Sequence, residues 1–354
     1  MTNLRNHFSG FILLSVILIV IFSSQVKAQM VVGEIEGTFI HEKKPEVFHG
    51  YLVLIENFAK NFSPVLNNPK NKMSGASEYL MTTSSWAQNV NAFLAINTSF
   101  FDPEKEYKPN DLRMVFGPTK IDGKLISSTL ERPDKKGNPA LLFDKKGEPR
   151  IIMATGKNVN NAYNVIGAQW EGSSKLGNNG SLLIEKGVMQ GSSTLPAPLE
   201  LAPRTGVGLT EDNKVLIILM IEGRLPSSAG VNLTQFAKIF KTLGAYNAIN
   251  FDGGGSSTIS YVPNKDLPLN ESLKLYNTLK SSIHKSDDKD SLLFAIKQRD
   301  ARIPFASSPS GGSIFESALM SKNEKNKNKK LKIQANQLYR PVAAHLGFTL
   351  KTNK

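Results

Sequence analysis

The chain has 354 residues, 40% hydrophobic and 21% charged, with no cysteine and a formal charge of +13. That length is enough for one large domain or two ordinary ones with a real core, and the composition excludes collagen, a wholly disordered chain and a multi-span membrane protein. Without cysteine there is no disulfide framework, no thiol nucleophile and no Cys-ligated zinc or iron–sulfur site.

Arg5 opens a short basic region, and Phe11 to Phe22 is an apolar run broken only by Ser15. Val26-Lys27-Ala28 then places small residues where a signal peptidase reads. This is the layout of a secretory signal peptide over residues 1–28, giving a mature chain that is periplasmic or secreted. An uncleaved anchor is the alternative, but the run is short for a membrane span. The domain proper is expected over 29–305, with a linker and a flexible basic tail over 306–354.

Gly50 to Ile55 and Ala92 to Ile96 read as strands, with a short helix over Thr82 to Val90 capped by Thr83 or Ser84. Ala140 to Phe143 and Ile151 to Met153 flank a polar turn and predict a hairpin. Gly206 to Leu209 and Val215 to Ile221 flank a second polar cluster. The latter has no polar break, as expected of a strand buried on both faces.

Asn232 or Thr234 can cap a helix whose Leu233, Phe236, Ile239, Phe240 and Leu243 form one apolar stripe, and Gly244 supplies its stop. A strand follows over Tyr246 to Phe251. Strand, helix and strand at this spacing predict a βαβ unit with parallel strands and a right-handed crossover. The fold class expected is therefore mixed α/β: a central mixed sheet with βαβ units and flanking helices, its site at the strand C-terminal edge. Ser291 to Ile296 fits a strand or a helical turn equally. Ser307 to Ser313 reads as a linker. Residues 321–354 then carry nine Lys or Arg against one acid, Glu324, leaving the core between leader and tail close to neutral. Basicity is thus a tail property, solvated or drawn to an anionic envelope surface, and not a nucleic-acid-binding face.

Asp252-Gly253-Gly254-Gly255-Ser256-Ser257 lies just past a strand. Three glycines let backbone N–H groups turn toward a ligand, at an entropic cost that a plain turn does not require, and the serines add hydroxyls. Arg204 and Thr205 open another strand, where an arginine can grip a phosphate or carboxylate in bidentate fashion or simply face solvent. Glu222 and Arg224 bracket a glycine at the end of Val215 to Ile221. Asn97 and Asp102 flank Phe100-Phe101, so that an amide for a sugar hydroxyl and an aromatic, Phe101, are expected on the same edge. Trp170-Glu171 is a sugar-stacking platform or a core Trp. No G-x-S-x-G, P-loop or H-E-x-x-H occurs, and His41, His49, His284 and His345 are expected near none of the strand-end clusters, which argues against a Ser-His-Asp hydrolase.

In this order Ala95-Ile96-Asn97-Thr98-Ser99-Phe100-Phe101, Arg204-Thr205-Gly206-Val207-Gly208-Leu209, Glu222-Gly223-Arg224 and Asn250-Phe251-Asp252-Gly253-Gly254-Gly255-Ser256-Ser257-Thr258 resemble the phosphodiester glycosidase family. The likeness covers roughly residues 50–262. It implies an enzyme hydrolysing a sugar-1-phosphodiester of N-acetylglucosamine type, or a related cell-envelope glycan linkage. Members usually carry Asp-Gly-Arg where Glu222-Gly223-Arg224 stands, glycine at Thr98 and Ser99, and a Glu-Arg pair near Lys285 to Asp290 that this chain lacks.

Glycoside hydrolysis commonly uses two carboxylates, and Asp252 with Glu222 is the expected pair. Arg204, Arg224 and the N–H groups of Gly253, Gly254 and Gly255 are expected to bind the anionic leaving group, with Asn97, Phe101, Thr205, Ser256 and Ser257 also lining the site. No cofactor is expected, and no ligand spacing supports a divalent cation at Asp252. The partner is a carbohydrate or sugar phosphate. A non-catalytic envelope glycan-binding protein that keeps the fold is the alternative.

Overall fold

A computed structural model describes residues 29–41, 44–66, 77–102, 108–127, 137–168, 181–190, 200–267, 274–280, 284–285, 291–308 and 339–351. The leader, Trp170-Glu171 and the Lys-rich stretch before residue 339 lie outside them.

Among the described residues the largest sheet is nine-stranded, in spatial order Val188–Met189, Leu182–Glu185, Asn247–Asn250, Arg204–Leu209, Val215–Ile221, Lys44–Glu56, Gln29–His41, Ser291–Gln298 and His284–Lys285. A second, five-stranded sheet runs Pro149–Ala154, Asn138–Phe143, Asn164–Gly167, Thr119–Ile121, Lys124–Ser127. The third, also five-stranded, runs Phe305–Ala306, Ile259–Tyr261, Leu94–Asn97, His345–Leu350, Phe62–Val65.

Every ladder among the described residues is antiparallel. The fold is mostly β, and the expected α/β class with a parallel βαβ sheet is wrong. The strand–helix–strand segment exists, but Val215–Ile221 and Asn247–Asn250 never pair. A hairpin fixes Arg204–Leu209 along one side of Val215–Ile221, and Lys44–Glu56 occupies the other. The strand returning from the helix can therefore add only beyond Arg204–Leu209, antiparallel to it. One inference survives the correction: two strands antiparallel to the same neighbour point the same way, so both still end on one edge.

The central strand is buried throughout, as its unbroken apolar run requires. Leu216, Ile218 and Met220 face one core, while Val215, Ile217, Leu219 and Ile221 face the other. This is the two-residue alternation of a strand sandwiched between layers. On the second face packs the helix Leu233–Thr242, through Phe236, Ile239 and Phe240. Its cap is Asn232, whose side chain accepts from the Gln235 N–H at 2.8 Å while the Gln235 side chain accepts from the Asn232 N–H at 2.8 Å. Such caps contribute about 1 kcal/mol. Gly206 and Gly208 let this helix sit close, since a Cβ on them would meet the Phe236 and Phe240 rings at 2.8 and 2.9 Å.

The first face packs on the third sheet through Ile96, Ile259, Tyr261, Leu346 and Phe348. His345–Leu350, expected within a flexible tail, is an inner strand of that sheet, paired with both Leu94–Asn97 and Phe62–Val65. Ser291–Gln298 is a strand, which resolves the ambiguity left by its apolar run. The short helix is Thr83–Asn89, and its cap is Thr82, one residue earlier than expected.

Candidate active site at one edge of the large sheet

Strand register gathers the predicted residues. Arg204 opens its strand opposite Ile221, and Gly206 lies opposite Asn250, so Arg204, Glu222 and Asp252 all sit on the same edge. The Asn97–Asp102 loop joins them from the third sheet: the Asp252 N–H donates to Thr98 O at 2.8 Å, and Asn97 Nδ2 donates to Asp252 O at 2.7 Å. Asn97 Oδ1 accepts the Thr258 N–H at 3.0 Å. Both ends of this buried amide hold the glycine-run loop.

Asp252 is partly accessible to solvent yet densely surrounded by protein. Burial pushes its carboxyl up to about 6, against the opposing pull of the Arg340 charge, the Ser256 hydroxyl, the Gly253 N–H and the Arg204 charge. The Gly253 N–H donates to its Oδ1 at 2.9 Å. Gly254, Gly255 and Ser256 form a single 3-10 turn. Gly254 has φ 60°, and a Cβ there would stand 3.2 Å from Arg224 Nη2; a Cβ on Gly253 would stand 3.1 Å from Pro203 O and 3.5 Å from Arg204 Nη1. These glycines admit two guanidinium groups against the loop, which accounts for them better than a simple reversal does.

Arg204 donates from Nε to Val231 O at 3.1 Å and from Nη2 to Glu200 O at 3.0 Å. Burial lowers it to about 10, the Glu200 charge opposing, so it stays cationic at neutral pH in a fixed pose. Arg224 holds a left-handed φ of 60°, uncommon for a side-chain-bearing residue, and its Nη2 lies 3.9 Å from Glu200 Oε1 in an exposed pair. Gly223 beside it is needed because a Cβ would strike Pro203 N at 2.7 Å and Gly230 Cα at 2.9 Å.

Glu222 is placed differently. It is 3% exposed, its Oε2 lies 2.8 Å from His49 Nδ1, and its Oε1 accepts the Ser308 N–H at 2.5 Å. Burial alone would raise its pKa, but His49 and Ser308 together hold the carboxyl below its ordinary value. His49 is shifted up, chiefly by that hydrogen bond, with burial opposing. The expectation that no histidine lies near the strand-end clusters is thus overturned twice. His49 bonds Glu222, and His345 stands opposite Asn97 in the third sheet, stacked on Trp86 with ring centroids 4.9 Å apart.

Thr205 is fully buried between strands, Ser256 and Ser257 are buried where the 3-10 turn ends, and Phe101 is buried with the Arg340 guanidinium 5.3 Å above its ring. The residues that sequence reasoning missed are His49, Ser308 and Arg340. Neither His49 nor Ser308 carries a local cue, because pairing of distant strands brings them in. Arg340 precedes an alternating strand but sits behind a Lys-rich stretch that masks it. Glu34, Glu36 and His49 bring ligand-type atoms within 4.8 Å of one another. Arg299 already engages Glu34 and Glu222 engages His49, so this group is not read as a metal centre. A cleft of about 680 Å³ lined by Glu56, Thr210, Asp212 and Lys214 lies at the other end of the central strand.

The phosphodiester glycosidase family profile matches residues 91–289, more than half of the chain, and the chain belongs to that family. The span includes Asn97, Arg204, Glu222 and Asp252, but neither His49 nor Arg340. Among solved structures, the catalytic domain of zebrafish N-acetylglucosamine-1-phosphodiester alpha-N-acetylglucosaminidase, auto-inhibited by its pro-peptide, is similar at TM-score 0.50 and 17% identity, over 77% of this chain and 89% of that one. A Synechocystis protein is similar at TM-score 0.43 and 15% identity, over 75% and 62% of the two chains. A Burkholderia pseudomallei protein is similar at 0.42 and 14%, over 72% and 75%. No curated protein matches the sequence.

Proposed function

We propose that this protein is an exported hydrolase that cleaves a sugar-1-phosphodiester of N-acetylglucosamine type, or a related cell-envelope glycan linkage. Export rests on the leader-like residues 1–28, and the Lys-rich stretch from Lys322 to Lys332 supplies attraction to an anionic envelope. The observation that carries the chemistry is the Asp252 loop, where the Arg204 and Arg224 guanidinium groups stand against Gly253 and Gly254 and the Arg340 and Arg204 charges act on the one carboxylate.

A departing phosphate is already a stable anion, so cleavage of its glycosidic bond needs less proton donation than an alcohol leaving group does. Its charge needs fixed cations, and Arg204 supplies one whose orientation costs nothing further during reaction. Asp252, ionised at neutral pH, is then suited to stabilise or attack the oxocarbenium-like anomeric carbon. The test is sugar release from the methyl ester of N-acetylglucosamine-1-phosphate by the mature protein and by Asp252→Asn. Release by the parent and loss in a folded variant support the reading, while equal rates would remove Asp252 from it.

One observation favours the non-catalytic glycan-binding alternative: both oxygens of Glu222, the second carboxylate expected in the pair, already have protein partners. Retained sugar binding without release would select that alternative.

A further inference from the structure

We propose that His49 is the proton-transfer residue of this site, and that Glu222 is the positioning carboxylate behind it and neither attacks the sugar nor activates its water. The inference rests on the hydrolase reading above and changes which group does the chemistry.

Geometry removes Glu222 from direct action. With Oε1 on the Ser308 N–H, Oε2 on the His49 ring and 3% exposure, it has no oxygen turned to a substrate. The His49 side chain is 20% exposed, so the accessible end of the pair is the imidazole. A carboxylate can only accept, so Nδ1 carries the shared proton and the lone pair lies on Nε2. Backbone contacts fix both residues. The Glu222 N–H donates to His49 O at 2.9 Å, the His49 N–H donates to Ser228 Oγ at 3.0 Å, and Ser228 Oγ donates to Glu222 O at 2.6 Å. Tyr51 holds the ring edge-on, with centroids 5.3 Å apart and planes at 83°.

A buried carboxylate that orients an imidazole and supports its positive form is the arrangement that makes histidine an effective base. The other groups facing this ring agree in sign. Glu36 lies opposite His49 across the strand pair, Glu34 stands two positions before Glu36, and both raise the basicity of the imidazole. Arg299 neutralises part of the Glu34 charge, and Tyr339 approaches Glu222 from the C-terminal segment with its hydroxyl on Ser307 O.

In the step assigned here, water attacks the anomeric carbon. Its O–H proton passes to His49 Nε2 as the new C–O bond forms. The bond from that carbon to the phosphate oxygen breaks, and its electron pair leaves on the phosphate. The imidazolium then returns its proton to solvent.

Turnover of the methyl ester of N-acetylglucosamine-1-phosphate is measured for the parent, His49→Ala, His49→Gln and Glu222→Gln, each first checked for native circular dichroism. His49→Gln keeps an amide hydrogen-bond partner for Glu222 but cannot carry the proton. The expected results are a kcat loss of about 100-fold or more in both His49 variants with KM nearly unchanged, and recovery of His49→Ala by added imidazole. Glu222→Gln should lose less and shift the acid limb of the pH profile, on which His49 takes up its proton, to lower pH. A folded His49→Gln turning over at the parent rate, or a His49→Ala that imidazole does not restore, would overturn the inference while the hydrolase reading stands. A parent that releases no sugar would overturn both.

Discussion

The Glu222–His49 pair makes a stability prediction whose sign is fixed by the two opposing shifts. The Glu222 carboxyl is depressed below its ordinary value of 4.5, so its contribution is present above that pH and is lost as pH falls through the lower folded value. The His49 imidazole is raised above 6.5, so its contribution is complete below 6.5 and is lost as pH rises through the higher folded value. The ion-paired state therefore contributes fully only between about pH 5 and 6.5. With side-chain exposures of 20% and 4% the pair is largely shielded, and a charge-assisted hydrogen bond in such a setting contributes about 1.5–3 kcal/mol. Glu222→Gln removes the charge while leaving an amide oxygen for the Ser308 N–H. Urea unfolding of parent and variant, compared from pH 4 to 9, should give a difference that peaks in that window and shrinks on both sides. A flat difference, or one that grows toward alkaline pH, would refute the pairing.

The remaining predictions concern the loop and the third sheet. Gly254→Ala should cost about 1–2 kcal/mol from its left-handed φ, and should displace only the flexible Arg224 guanidinium; Gly223→Ala meets backbone at 2.7 and 2.9 Å and should destabilise more, so a smaller loss in urea midpoint than Gly254→Ala would count against this packing. Activity that needs ionised Asp252 should fall as pH drops through about 6, and Arg340→Ala should move that limb upward, because it removes the cation that most favours the carboxylate; an unmoved limb would separate Arg340 from Asp252. Burial pushes the imidazole of His345 down to about 3, so the folded state resists protonation and loses stability as pH falls below about 6.5. His345→Phe, which keeps the ring on Trp86, should lessen that acid sensitivity in thermal melts at pH 5.

The elements of this fold are legible wherever a segment carries its own period or punctuation. The apolar run of Val215–Ile221, the capped stripe of Leu233–Thr242 and the hairpin around Asp144 each announce themselves locally. What the local pattern does not carry is partnership. Strand, helix and strand suggest a parallel pair, yet the earlier Arg204–Leu209 hairpin already fills the place beside Val215–Ile221. The same limit governs the site. Asp252 stands out because three consecutive glycines follow it at a strand end, at an entropic cost that a plain turn does not require. His49 does not, because it lies more than 170 positions before Glu222, and only the pairing of Lys44–Glu56 with Val215–Ile221 brings them together. Arg340 is hidden because lysine and asparagine dominate the sequence just before it.

The central claim is that Asp252 and the arginines beside it cleave a sugar from phosphate. The most direct measurement is release of N-acetylglucosamine from the methyl ester of its 1-phosphate, by the mature protein and by Asp252→Asn at matched folded concentration. Release by the parent and a loss of several hundredfold or more in the variant is the expected result. Equal release by both proteins, or binding of the ester without release by either, would contradict the account.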